Sequence, residues 1–219
     1  TSGTKMEDIT ISLNNPNDQL DLSMYVLNHL PKDNPTVAKL GDIKATIHVS
    51  AYDDNVDMDV ELGNTDSVRK EGAISIRTKL SKIMGKPQID IELISTDIIL
   101  NDSAWHIGHS NLNYAIANNE LDVNNFLFST DYQSITANGK ASKHATDSID
   151  IALSNINLDY LLSYTVAGDA ISIMGPVTGQ ARIYSVFSEL MLEAKARIKQ
   201  GGLNGVYLGD IDAEAVLDR

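Results

Sequence analysis

Cysteine is absent from the 219 residues, which excludes a disulfide framework, thiolate zinc sites and a cysteine nucleophile together. Aromatic side chains make up only 5 %, too few for the exposed aromatics beside amides that a glycan-binding sheet would present. No window approaches the roughly 18 apolar residues of a membrane-spanning helix, although 42 % of the chain is apolar. Positive charge is scarce: 17 Lys and Arg against 30 Asp and Glu leave a net charge of −13. Such an excess repels phosphate backbones and anionic headgroups, so nucleic acid and a charged membrane surface are both expected to be poor partners. The chain opens on Thr1-Ser2-Gly3 with no initiator Met or signal-like apolar segment. It therefore reads as a piece of a longer protein, with any membrane anchor outside it.

What the chain does have is a two-residue period sustained from Ile43 to Leu217. Successive side chains on a strand point to opposite faces, so this pattern predicts an extended sheet with two chemically different faces. The clearest run is Val56-Asp57-Met58-Asp59-Val60-Glu61-Leu62, apolar on one face and acidic on the other. Ile43 to Val49 alternates likewise, and Tyr52-Asp53-Asp54-Asn55 between the two is turn chemistry, which predicts an antiparallel hairpin. Further runs fall at 73–80, 89–94, 112–117, 120–126, 134–139, 148–153 and 170–174. Their mostly short connections predict a meander, because parallel strands need crossovers of a dozen or more residues. The quartet Leu40-Gly41-Asp42-Ile43 returns as Leu208-Gly209-Asp210-Ile211, each copy leading into an alternating strand. One elongated unit over 1–219 is expected, with internal repeat boundaries near 40 and 208.

Leu192 to Lys199 sets propensity against pattern. Glu, Ala, Lys and Arg favour helix, yet only a strand gathers Glu193, Lys195, Arg197 and Lys199 on one face and Leu192, Ala194, Ala196 and Ile198 on the other. The pattern predicts a strand, with Gly201-Gly202 as the turn that follows. Two short helices are expected. One is 157–164, with Asn157 as cap and Leu158, Leu161 and Leu162 on one side. The other is 21–30, with Leu22, Val26, Leu27 and Leu30 on a stripe and Pro31 as the stop. Either could cover a sheet edge.

Several short motifs fail on context. His106-Ile107-Gly108-His109 spells a class I aminoacyl-tRNA synthetase signature, but it follows Trp105 in an antiparallel run and not a parallel strand before a helix. As a metal pair the two histidines would point to opposite faces of a strand, with no third ligand nearby in sequence. Surface or turn positions are expected for both. The run Asp53 to Asp57 lacks the glycine and the closing Glu of a calcium loop, having Met58 and Asn64 there. Gly108-His109-Ser110 lacks the closing glycine of a nucleophile elbow, Leu112 standing in its place. Neither Gly85-Lys86 nor Gly139-Lys140 completes a phosphate-binding loop. No catalytic residue, cofactor or metal is indicated, and a non-enzymatic protein is expected.

Three stretches carry a family likeness. Gly205-Val206-Tyr207-Leu208-Gly209-Asp210-Ile211-Asp212-Ala213-Glu214 is one. Gln133 to Ser142, followed by Asp150 to Leu158, reads as a strand ending in Gly-x-Ala-Ser and then a strand leading to a short helix. Ile173-Met174-Gly175-Pro176-Val177-Thr178-Gly179 reads as a strand-turn-strand step. In these phrases the chain resembles the translocation and assembly module subunit TamB family of the AsmA-like superfamily, over about residues 32–219 and most closely over 105–219. The first thirty residues and 81–87 depart from the family's phrasing. The resemblance implies a periplasmic piece of an inner-membrane-tethered protein, folded as a curled sheet with a greasy concave face. It also implies a part in phospholipid movement to the outer membrane or in outer-membrane protein assembly, with a barrel partner of the TamA or BamA type.

So many aliphatic strand faces need a cover, and few helices are available to supply it. The sheet either closes on itself as a barrel or sandwich, or stays a trough for an apolar guest. Pattern alone leaves both open; the family resemblance selects the trough. The fold class expected is therefore all-β, an elongated curled antiparallel sheet with one or two short helices. The expected lining for phospholipid acyl chains is Ile43, Ile47, Val49, Val56, Met58, Val60, Ile135, Ile151, Leu153, Ala194, Ala196 and Ile198. A β-sandwich adhesin or binding module, and a cradle pairing its edge with unfolded outer-membrane strands, are the competing readings.

Overall fold

The computed structural model describes the backbone of residues 5–15, 19–29, 43–64, 70–100, 102–144, 146–158, 172–187 and 190–217, with side chains at 5–10, 26–29, 43, 64 and 70 outside that description. Sixteen strands form one antiparallel sheet. The first eight are β1 (Lys5–Asn14), β2 (Leu20–His29), β3 (Ile43–Tyr52), β4 (Asn55–Asn64), β5 (Lys70–Ile83), β6 (Lys86–Leu93), β7 (Thr96–Leu100) and β8 (Ser103–Ile107). The rest are β9 (Ser110–Ala115), β10 (Glu120–Ser129), β11 (Ser134–Ala141), β12 (Ser148–Asn157), β13 (Ile173–Met174), β14 (Pro176–Tyr184), β15 (Met191–Leu203) and β16 (Val206–Leu217). The all-β, curled antiparallel expectation holds.

The topology is a plain meander once interrupted lanes are joined. β6 and β7 run on along one side of the long β5. β8 and β9 face them in the same register on either side of a break at 94–95 and 108–109, Gln88 opposite Ala115 and Thr96 opposite Ile107. β13 and β14 likewise share the lane beside β15. Among the described residues β1 pairs only β2 and β16 only β15, so the sheet has two free edges and is not closed into a barrel.

Breaks in pairing supply the curvature. Ladder shifts fall between Val123 and Phe126, between Leu153 and Ile156, and between Ile198 and Gly201. Left-handed residues sit within the shifts: Asn125 at φ 58°, Asn155 at 56° and Gln200 at 49°. Bulges of this kind bend a strand, increase its twist and swap which side of it faces the core. Asn is one of the few residues that tolerates this conformation cheaply.

Three sequence expectations need correction. The 21–30 segment is strand β2 and not a helix: Leu20, Leu22 and Met24 alternate as well as they spiral, and pairing with Ala51, Val49 and Ile47 decides between the two. Gly201-Gly202 is not a turn but lies inside β15, where a Cβ on Gly202 would stand 2.7 Å from the Val206 carbonyl oxygen and against Met174 Cε. The hairpin turn is Asn204-Gly205, both left-handed at φ 49° and 81°, the arrangement that matches the twist of the flanking strands. The second quartet, Leu208 to Ile211, lies inside β16 with Gly209 at φ 86° as a bulge. Gly175 likewise is a bulge at φ 94° joining β13 to β14, where a strand-turn-strand step was expected. The 157–164 helix lies mostly outside the described residues: Asn157 closes β12, and Leu158, the last described residue of that segment, is helical.

The hard segment is settled as read. β15 alternates half-buried Leu192, Ala194, Ala196 and Ile198 with exposed Glu193, Lys195, Arg197 and Lys199. Fully buried hydrophobic side chains are few among the described residues: Trp105, Ile107, Val123, Ala141, Ile156 and Val177. The chain exposes 13468 Å², against about 9,900 Å² for a compact protein of its 23.8 kDa mass.

Candidate functional site

Cross-strand partners point to the same face, so the register tests whether the apolar sides join. Leu20 lies opposite Ala51, Ala51 opposite Val56, Val56 opposite Thr78, Thr78 opposite Ile91 and Ile91 opposite Leu112. The row continues through Val123, Gly139, Ile149, Ile183 and Leu192 to Leu217. It crosses from β2 to β16 without leaving the face, roughly 50 Å at the spacing of neighbouring strands.

Every expected lining residue whose side chain is described stands on this face. Ile47, Val49, Val56, Met58 and Val60 face one another across β3 and β4. Ile135 pairs with Leu153 and borders the Ala137–Ile151 pair. Ala194, Ala196 and Ile198 oppose Ala181, Gly179 and Val177. Ile43 holds the matching register position at the head of β3. Apart from Ile43, whose side chain is not described, each of these residues is half-buried, neither sealed nor fully open. All six buried hydrophobics share the face, in keeping with its lying inside the curl.

The face adds residues that were not singled out from sequence, chiefly Met24, Ile74, Ile76, Ile91, Leu112, Ile149 and Ile183. Their signal was the same alternation, as in Ile89-Asp90-Ile91-Glu92-Leu93. Met24 was missed because its segment was read as helix. Near mid-sheet the indole of Trp105 stacks on Phe128, with centroids 4.4 Å apart and 15° between planes.

The opposite face is a ladder of charge. Arg197 donates two hydrogen bonds to Asp212, at 2.7 and 3.0 Å, and this pairing holds the Asp212 carboxyl below the usual range. Arg77 reaches Glu92 at 2.9 Å, Arg182 Asp150 at 2.6 Å, Lys195 Glu214 at 3.1 Å and Lys140 Glu120 at 3.1 Å. Tyr52 donates to Asp57 at 3.1 Å, which raises the phenol pKa. An open cleft of about 480 Å³ on this face is bordered by Asp150, Arg182, Glu193 and Lys195, but Asp150 and Arg182 are occupied with each other and Lys195 with Glu214.

The two histidines also lie here. His106 Nδ1 is 2.7 Å from Asp97 and His109 Nδ1 is 3.6 Å from Glu92, so both stand on the polar face where opposite faces were expected. The break at Gly108 and His109 between β8 and β9 resets the alternation. No cluster of three or more metal-binding side chains occurs among the described residues.

No family model, curated protein or solved structure matches this chain. What the apolar face can do chemically therefore rests on its own geometry.

Proposed function

We propose that this chain is a non-enzymatic groove protein of the cell envelope that holds phospholipid acyl chains along its apolar face and lets them slide. The observation that carries the reading is the continuous face from Leu20 to Leu217, apolar along its traced row except at Thr78 and Gly139, whose side chains in an unclosed sheet are mostly half-buried or exposed, Val123 being the buried member of that row. A sixteen-carbon acyl chain at about 0.8 kcal/mol per buried CH₂ gives on the order of 10 kcal/mol gross, reduced by ordering costs. Contacts of this kind without polar anchors hold a guest equally well at neighbouring positions, which suits passage better than storage. The likeness to the TamB family supports a periplasmic setting, phospholipid delivery to the outer membrane or outer-membrane protein assembly, and a barrel partner of the TamA or BamA type.

A second reading has its own observation. Among the described residues β16 is an edge strand of twelve residues paired on one side only, and it carries neither Pro nor Lys, two of the devices that ordinarily protect an edge from strand addition. It could pair with an unfolded outer-membrane strand. Two measurements decide. Organic extraction of the purified protein followed by mass spectrometry is expected to yield phospholipid, and a lipid-free extract would count for a closed core. Photoreactive residues at Met58 and Ile151 are expected to capture lipid. Capture of polypeptide at β16 with no lipid at those two positions would replace the groove with the cradle.

A further inference from the structure

The hairpin joining β5 and β6 is unlike the other turns. Nine non-glycine residues have left-handed backbone among the described residues: Asp53, Met84, Asp102, Asn119, Asn125, Asn155, Ser185, Gln200 and Asn204. Eight are polar, as expected where a short side chain eases the strain. Met84, at φ 52°, is the exception, and it is 99 % exposed. An unbranched thioether there gives the turn no local hydrogen bond and places an apolar side chain in water, both unfavourable for an isolated hairpin.

Its neighbours point the same way. Ile83 is 55 % exposed and Leu80 46 %. Lys79, Lys82 and Lys86 are exposed, and none of them makes an ion pair among the described residues. Lys86 has one long contact to Asn118 at 3.4 Å. The cationic cluster is notable in a chain of net charge −13. The nearest β6 carboxylate, Asp90, accepts hydrogen bonds from Ser81 and Gln88.

The tip also projects. On one side β4 pairing stops at Asn55 opposite Lys79, and on the other β9 pairing stops at Ala115 opposite Gln88. Residues 81–87 stand beyond both neighbours, putting Met84 roughly 12 Å past the level of Asp54 at strand rise. That exceeds a Debye length at physiological salt, so the Asp53-Asp54 turn weakly opposes an anion at the tip.

We propose that the Ile83–Met84 tip is a membrane-docking finger for an anionic phospholipid surface: Met84 and Ile83 enter the headgroup boundary while Lys82 and Lys86, within the projecting segment, meet the lipid phosphates. An apolar tip ringed by lysines is the pattern of interfacial insertion. The global negative charge opposes general adsorption, so contact is confined to this end of the sheet and the chain is oriented on the bilayer.

The test is co-sedimentation of the whole chain with phosphatidylcholine vesicles containing about 30 % phosphatidylglycerol, compared with phosphatidylcholine alone. Binding to the anionic vesicles is expected, weakening as salt rises. Met84→Asn removes the apolar group and supplies a residue that favours the left-handed turn, so thermal stability should be kept or raised while binding falls about five-fold or more. Lys82→Gln with Lys86→Gln should lower it on the order of twenty-fold. No preference of the wild-type chain for anionic vesicles would overturn the proposal, and so would wild-type binding by both variants. The finger stands apart from the groove reading, because extracted lipid reports on the groove and vesicle binding on the tip.

Discussion

Ile151 and Ile156 lie on one strand, share the apolar face across the Asn155 bulge and have identical side chains, yet only Ile156 is fully buried, at 0 % exposure. Truncating Ile156 to Ala deletes three carbons from a closed environment. Transfer accounts for about 2.4 kcal/mol, and the cavity brings the cost to about 3–4 kcal/mol. Ile151→Ala deletes the same carbons from a half-hydrated wall and leaves no sealed void, so its cost is about 1 kcal/mol. With a urea dependence of about 3 kcal/mol per molar, the midpoints should fall by about 1 M and about 0.3 M respectively. Trp105 reports the transition directly: it is the single tryptophan, 1 % exposed, and its emission should move to the red on unfolding. The measurement belongs on protein first depleted of lipid over a hydrophobic resin, since a bound guest would cover Ile151. Equal losses for the two variants would mean that the lining is sealed in a filled interior, and the groove would have to be abandoned.

Two further outcomes follow from local geometry. Gly202→Ala drives a Cβ into the Val206 carbonyl and Met174 and should cost about 1–3 kcal/mol with lost hydrogen-exchange protection around β13; Gly63→Ala, which meets nothing within 4 Å, should leave urea unfolding nearly unchanged, and equal effects would discount the close approach. The Asp212 carboxyl is depressed mainly by the Arg197 hydrogen bond, so its contribution to stability is present above the unfolded value of about 3.9 and is lost as pH falls through the lower folded value. Carboxyl-carbon NMR should find Asp212 titrating below the ordinary range and Arg197→Gln returning it there; an unchanged titration would remove the pair from the polar ladder.

Where charge and apolarity took strict turns, as in β4 and β15, the strand and its two faces were legible without coordinates, even against the helix propensity of Glu193 to Lys199. β2 was not, because Leu22, Val26 and Leu27 suit a helical stripe and only the neighbouring β3 makes the extended form worthwhile. Face parity was lost wherever a bulge intervened. His106 and His109 came to the same side, and Ile156 rejoined the face of Ile151, because an extra unpaired residue shifts every side chain beyond it. The turn at Asn204-Gly205 was marked in sequence by the strongest two-residue hairpin signal, and the glycine pair before it drew attention away.

Local alternation by itself determined that this protein would be a sheet with an oily side and a charged side, since the period of a strand is a property of the backbone. Whether those oily sides would join, stay uncovered and end in a projecting lysine-ringed tip depended on register, bulge position and where each neighbour stops. Only long-range hydrogen bonding between ribbons decides those.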